Sequence, residues 1–110
     1  MADEIVPQST LTWVRTIAAN RAATDGASWV RSFSANNSGT INNQWMVVDY
    51  NKFTPGKPLV DGTLTVLEQW PRFVQSADVT HYLRVGHWQS FNKPFFTEGY
   101  SRSGNVRRRR

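Results

Sequence analysis

The 110-residue chain contains no cysteine. It therefore has neither a disulfide framework nor a cysteine–zinc site, and it offers no thiol nucleophile of its own. Its histidines, His81 and His87, are six positions apart and have no third ligand nearby, so we expect no metal site. Phosphate-binding loops and dinucleotide-binding glycine motifs are also missing, and we predict that the protein needs no cofactor.

Long hydrophobic runs are missing as well. No run approaches the roughly 20 residues that a membrane-spanning helix needs. The first ten residues, MADEIVPQST, are acidic and interrupted by Pro7, so they do not form a signal peptide. We therefore predict no transmembrane segment. The chain is expected to be either cytosolic or the interior of a longer protein.

Positive charge is scarce outside the C-terminus. The net charge is +5, and Arg107–Arg110 supply four of these charges, which leaves +1 for the rest of the chain. A nucleic-acid-binding surface needs basic residues spread over the fold, so we predict no nucleic-acid partner. The predicted organisation is one partial domain over residues 1–106 and a disordered arginine-rich tail over residues 107–110. Salt-dependent RNA binding by this tail is the alternative.

Hydrophobic spacing predicts two helices near the N-terminus. The first begins after Ser9 or Thr10 and carries one apolar face, formed by Leu11, Val14, Ile17 or Ala18, and Ala22. Arg15 and Arg21 lie off this face. Asp25-Gly26 indicates a turn, and a second helix follows, with the predicted buried residues Ala27, Trp29, Val30 and Phe33.

Two β-strands joined by a loop are predicted next. The first spans Gln44 to Tyr50, and the second lies in GTLTVLEQW and stops at Pro71. A third short strand, RFVQSA, and a short helix that ends at Gly86 lead into a segment rich in aromatic residues. The predicted class is α+β: helices, an antiparallel strand pair, a short helix and an aromatic-rich loop. Its few strands cannot close a sheet, and its exposed edges indicate partners elsewhere.

Residue patterns alone indicate no self-contained catalytic site. A Ser-His-Asp arrangement could combine a serine with His81 and Asp78, but the sequence has no G-x-S-x-G elbow to expose that serine. Glu68 has no obvious carboxylate partner for paired acid–base chemistry. Asn36 opens the triplet Asn-Asn-Ser, which makes it a candidate for N-glycosylation.

Four stretches, in this order, resemble the phospholipase B-like family, also called lamina-ancestor-like. They are LTWVRTIAANRAATDGASWVRSF, NSGTINNQWMVVDYNKF, LTVLEQWPRFVQSADVT and HWQSFNKPFF. The resemblance extends from about Leu11 to about Gly104. The string NSGTINNQWMVVDY is long and unusual, which makes the resemblance specific.

The resemblance implies an internal fragment of an N-terminal-nucleophile hydrolase with an αββα sandwich fold. In that family a cleaved precursor exposes an N-terminal cysteine, whose thiol attacks an acyl ester or amide bond while its α-amino group acts as the base. The implied partners are a phospholipid or another acylated lipid and the remainder of the parent polypeptide, in a lysosomal or secreted protein. Because the cysteine lies outside this chain, we expect the chain alone to be inactive. The alternative is a non-catalytic remnant or a lipid-associating module.

One residue of the family's active site is implied within this chain. Asn92, in HWQSFNKPFF, matches the asparagine of the family's W-x-S-[YF]-N-x-P stretch, and its amide is suited to donate to an oxyanion or a substrate carbonyl. The alternative is that Asn92 only initiates the turn before Lys93-Pro94.

The polar residues that precede the first strand are expected to be structural. Asn42, Asn43 and Gln44 are predicted to form a hydrogen-bonded network that ties the strand end to neighbouring loops. Trp45 and Asp49 are predicted to pack against and anchor this strand. The alternative is that the three amides line the site.

Overall fold

The computed structural model describes residues 9–91 and 93–96. The predictions for Asn92 and for the tail 107–110 therefore lie outside the described residues. The described part contains three α-helices, a three-stranded antiparallel sheet and a 3₁₀ turn at Tyr50–Lys52. The elements are α1 (Thr12–Ala22), α2 (Gly26–Ser34), β1 (Gln44–Val48), β2 (Leu64–Trp70), β3 (Phe73–Asp78) and α3 (Thr80–Val85). This confirms the α+β class.

The sheet order is β1-β2-β3, and the third strand predicted in RFVQSA is confirmed, shifted by one residue to Phe73–Asp78. β2 is central and its side chains are buried on both faces from Leu64 to Gln69. Pro71 ends β2 as predicted, and the chain reverses through Pro71 and Arg72 before β3. Gly39 packs against this turn: a Cβ atom there would lie 2.8 Å from the Cα of Pro71, and its φ is +67°. A residue with a side chain would not fit there.

The buried face of α1 is not the one predicted. Thr12, Arg15 and Ala19 are buried, whereas the apolar residues on the predicted face are exposed, by 51% at Leu11, 37% at Val14 and 46% at Ile17. The physical reason is that Arg15 finds neutral hydrogen-bond acceptors and an aromatic ring beneath the helix, as described below. The N-cap is Leu11, which makes no side-chain capping bond, rather than Ser9 or Thr10.

The start of α2 is set by a capping box. The Asp25 carboxylate accepts from the Ser28 N–H at 2.7 Å, and the Ser28 hydroxyl accepts from the Asp25 N–H at 3.0 Å. Trp29 and Phe33 are buried as predicted and Val30 is half-buried, but Ala27 is exposed. Gly26 instead packs against Thr65 of β2. The approach is so close that a Cβ atom at position 26 would clash with the Thr65 hydroxyl.

Two hydrophobic clusters cover opposite faces of the sheet. α1 and α2 contribute to the first, which contains Ala19, Trp29, Phe33 and Leu67. The second lies under α3 and the aromatic segment, and it contains Leu64, Val66, Val79 and Phe96. The central strand β2 thus supplies both clusters, and two of its polar residues, Glu68 and Gln69, follow Leu67 toward the end of the strand.

Candidate functional site

A row of polar side chains crosses one end of the sheet. Strand pairing places Gln44 of β1 opposite Glu68 of β2, and Glu68 opposite Gln75 of β3. Because directly paired residues of an antiparallel sheet project from the same face, the three side chains are neighbours. Glu68 is only 3% exposed. A buried carboxylate in the middle of a sheet needs hydrogen-bond donors around it.

Three N–H donors surround Glu68. The side-chain amide of Gln44 donates to its Oε1 at 2.9 Å, and the backbone N–H of Phe95 donates to the same oxygen. The N–H of Phe96 donates to Oε2 at 3.3 Å. Glu68 therefore fastens the aromatic segment onto the sheet. Within residues 9–91 and 93–96 no basic side chain forms an ion pair with it.

A small cavity of about 70 Å³ opens beside Glu68. It is lined by the amide motif, the end of β2 and the segment after Asn92: Asn42, Asn43, Gln44, Glu68, Gln69, Trp70, Lys93 and Pro94. Three buried polar atoms of its lining find no hydrogen-bond partner in the described part of the chain, namely Asn42 Oδ1, Gln44 Oε1 and Trp70 Nε1. Residues of the cavity wall thus carry two unsatisfied acceptors and one unsatisfied donor.

Gln69 holds the loop that carries Asn42. Its side-chain amide donates to the carbonyl of Ile41 at 2.9 Å, and its backbone N–H donates to the carbonyl of Asn43 at 3.0 Å. The two carbonyls on either side of Asn42 are therefore both fixed to one buried residue. Gln69 Oε1 in turn accepts from the Arg15 guanidinium.

Arg15 is the buried cation behind this loop. It donates to the carbonyl of Phe33 at 2.6 Å and to the hydroxyl of Thr12 at 3.3 Å, and its guanidinium carbon lies 4.4 Å from the centre of the Phe33 ring. Burial lowers the pKa of Arg15 from its ordinary value. Its partners are all neutral, so the charge is solvated by dipoles and by an aromatic face rather than by an anion.

The amide motif divides into two kinds of residue. Asn43 Oδ1 accepts from the Gln44 N–H at 2.8 Å, Trp45 packs on Phe33 with ring centres 4.7 Å apart, and Asp49 accepts from the Asn51 N–H at 3.0 Å. These contacts, with the Gln44–Glu68 bond, are of the tying and packing kind that the sequence indicates. Asn42 differs, because its buried oxygen faces no donor in the described residues. The functional roles of the motif stay predictions.

The remaining candidate residues lie apart from the cavity. Asn36 is exposed with φ of 57°, and its carbonyl accepts from the Thr10 N–H at 2.8 Å. His81 is exposed and contacts the ring of Tyr82 at 4.4 Å. No group of three or more metal-ligating side chains occurs in the part of the chain that the structure describes. No helix there is long and apolar enough to cross a membrane.

Comparison with known proteins gives the chain a family. A family model described as Phospholipase B matches residues 1–109. The chain belongs to the phospholipase B family. The match extends beyond the span from Leu11 to Gly104 that the sequence motifs cover.

Relatives of this phospholipase B chain come from distant organisms. It is 56% identical over 100 residues to phospholipase B-like protein B of Dictyostelium discoideum, covering 91% of this chain and 18% of the relative. It is 44% identical over 101 residues to phospholipase B of Crotalus adamanteus, covering 92% and 18%. It is 50% identical over 96 residues to putative phospholipase B-like 2 of Homo sapiens, covering 86% and 16%. The chain thus spans less than a fifth of the length of these relatives.

Two residues of the site in this phospholipase B chain carry little signal in the sequence. Glu68 is a candidate there only for paired-carboxylate chemistry, and no motif singles out Gln69, yet both line the cavity and bind its neighbouring residues. The available signal was their position. A Glu-Gln pair follows Val66 and Leu67 in the central strand, and buried polar side chains in such a strand must have partners.

Proposed function

We propose that this chain forms one wall of the active site of a phospholipase B-like hydrolase. The hydrolase would cleave acyl ester or amide bonds of phospholipids with an N-terminal cysteine nucleophile outside this chain. The observation that carries the proposal is the shared cavity, since the amide motif and the two residues that follow Asn92 line it together. Membership of the phospholipase B family supports the hydrolase assignment.

Asn92 is the proposed donor to the oxyanion or to the substrate carbonyl. Its support is the motif match and the position of Lys93 and Pro94 in the cavity lining. A side-chain amide can donate a hydrogen bond without adding charge, which suits it to a tetrahedral oxyanion. The nucleophile, the rest of the acyl site and the remaining part of the sandwich would come from the remainder of the parent polypeptide.

A chimera tests this proposal. The matching segment of Crotalus adamanteus phospholipase B is replaced by this chain, and fatty-acid release from phospholipid vesicles is measured. We expect the chimera to be active and Asn92→Ala to reduce its rate by ~10²–10³, as loss of one oxyanion donor does elsewhere. The matched control is Asn51→Ala, because Asn51 is exposed and its observed bond uses the backbone N–H.

The outcomes separate the hypotheses. An active chimera that tolerates Asn92→Ala would contradict the donor role, and fatty-acid release by the 110-residue chain alone would contradict an external nucleophile.

The second candidate is a lipid-associating module without catalysis, which the exposed Trp13 and Ile17 on α1 favour. In that case the chimera would bind vesicles without releasing fatty acid.

The same proposal includes the location of the longer protein, which would be lysosomal or secreted and would carry a glycan at Asn36. The support is the exposure of Asn36. After expression through the secretory pathway, digestion with an N-glycosidase should change the mass of the protein. This change should be absent in Asn36→Asp, which keeps a residue that tolerates the positive φ.

A further inference from the structure

The polar row has more buried acceptors than donors. Gln44 Oε1 and Asn42 Oδ1 in the cavity lining, and Gln75 Oε1 on the other side of Glu68, are buried without a hydrogen-bond partner in the described residues. Glu68 adds a carboxylate whose observed partners are all neutral N–H groups. Unpaired buried acceptors and an uncompensated buried charge both cost free energy, and a donor-rich cation would relieve both.

The direction of the Gln44 amide is fixed by chemistry. Its nitrogen lies 2.9 Å from Glu68 Oε1, and a carboxylate oxygen accepts hydrogen bonds. The nitrogen must therefore face Glu68, which leaves the amide oxygen as an acceptor without a partner. Gln44 and Glu68 both line one cavity. The cavity wall thus includes one residue with an unpaired acceptor and one with a carboxylate.

The cavity has room for a small polar group. Its volume is about 70 Å³, and roughly 10–15 Å³ in the same measure is enough for one water molecule. A primary ammonium group fits such a space and brings three N–H donors with a positive charge. A trimethylated ammonium has no N–H to donate. The unpaired Trp70 N–H adds one donor to the lining, so an oxygen near the ammonium would also find a partner.

We propose that this cavity is a binding site for a primary ammonium group. Glu68 supplies the counter-charge, Gln44 and Asn42 supply neutral acceptors, and Trp70 donates to an oxygen of the same ligand. One source is the amino-bearing head group of a lipid substrate, a reading that rests on the proposed function. The other source is the chain itself, since Lys93 is an exposed residue of the lining.

Titration of the ¹⁵N-labelled 110-residue chain with ethanolamine tests the site. We expect saturable shifts of the Trp70 indole N–H, assigned with Trp70→Phe, and of the Gln44 side-chain amide. Choline is the matched probe, because it keeps the charge and the oxygen but has no N–H donor. Choline should bind at least about tenfold more weakly than ethanolamine, which corresponds to the loss of about one charge-assisted hydrogen bond.

Three variants locate the binding. Glu68→Gln removes the charge and should weaken ethanolamine binding about tenfold or more. Asp61→Asn is the matched control, because it removes one negative charge from an exposed carboxylate; it should leave the affinity unchanged. Gln44→Met removes the neutral acceptor and leaves the bonds from Phe95 and Phe96 to Glu68 in place. It should weaken binding severalfold even if Glu68→Gln disturbs the fold.

Lys93→Gln distinguishes the two sources. If the lysine ammonium occupies the cavity, this variant tightens ethanolamine binding; if the cavity is free for an external amine, the affinity stays the same. Either result supports an ammonium site. The proposal is overturned if ethanolamine gives no saturable shift, if choline binds equally well, or if Gln44→Met and Glu68→Gln both leave the affinity unchanged. Because binding is measured without turnover, its failure leaves the hydrolase proposal standing, and an inactive chimera leaves the ammonium site standing.

Discussion

Arg15 shows how one residue can hold a loop through another. Its guanidinium reaches Gln69, and Gln69 binds the carbonyls on both sides of Asn42. No anion accompanies this buried charge within the ranges 9–91 and 93–96. Because its partners are neutral, the cost of burial must be offset by several hydrogen bonds made at once.

We expect Arg15→Met to destabilise the fold by about 2–4 kcal/mol, because it keeps the apolar stem but leaves the carbonyl of Phe33 and the oxygen of Gln69 buried without their donor. Urea unfolding followed by far-UV circular dichroism measures this loss. Arg21→Met is the matched control, since Arg21 is exposed on the same helix. It should change the stability by no more than about 0.5 kcal/mol. Equal effects of the two substitutions would refute the role assigned to Arg15.

Among the elements, α2 is the one whose start is most clearly encoded. Asp25 and Ser28 exchange reciprocal hydrogen bonds at its first turn. The bond from the Ser28 N–H is the largest cause of a lowered pKa of Asp25. A carboxylate with a lowered folded-state pKa stabilises the native state above its unfolded pKa of about 3.9, and this contribution disappears as the pH falls through the lower folded value.

The stability that Asp25 contributes should therefore depend on pH. At pH 7 we expect the wild-type chain to have a higher free energy of unfolding than Asp25→Asn. This difference should disappear as the pH falls below about 3.9, because asparagine caps the helix without titrating. Denaturant unfolding of both proteins at several pH values measures the difference. Asp61→Asn, at an exposed carboxylate outside this cap, serves as the control. An Asp25→Asn difference that stays constant with pH would rule out the proposed linkage.

The elements also show which predictions a sequence supports. Turn residues such as Pro71 and Gly86 locate the ends of β2 and α3 correctly, whereas the strand predicted to reach Tyr50 ends at Val48, because the chain turns there into the 3₁₀ turn at Tyr50–Lys52. The helical spacing of α1 found a real apolar face, but spacing does not say whether that face meets the sheet or the solvent. Only the acceptors around Arg15 decide it, and they come from residues 18 and 54 positions later in the chain. The Gln44–Glu68 pair likewise follows from strand register, which a single strand sequence does not specify.

For the whole molecule, α1 leaves an apolar surface uncovered, because it buries the face that carries Arg15 and exposes its apolar face. Trp13 and Ile17 are exposed by 62% and 46%, and Val14 lies between them. Contiguous exposed apolar residues favour association, either with further polypeptide or with another copy. This agrees with a chain that spans less than a fifth of the length of its relatives.

We expect the double variant Val14→Gln/Ile17→Gln to weaken self-association of the chain by about tenfold, because it removes apolar area that association would bury. Sedimentation velocity over a range of concentrations measures the effect. Val85→Gln is the matched control, since Val85 is an exposed apolar residue on α3, away from this surface. A wild-type chain that stays monomeric at all concentrations would contradict the expectation.

The two-residue turn at Pro71 and Arg72 has a consequence for the order in which the chain folds. β2 and β3 are joined by two residues, whereas 15 residues separate β1 from β2. Closing the longer connection costs about 2 kcal/mol more chain entropy, so we expect the β2–β3 hairpin to form first and β1 to join it afterwards. The cavity beside Glu68 needs residues from before β1 and from after α3, so it is complete only when the last long-range contacts have formed.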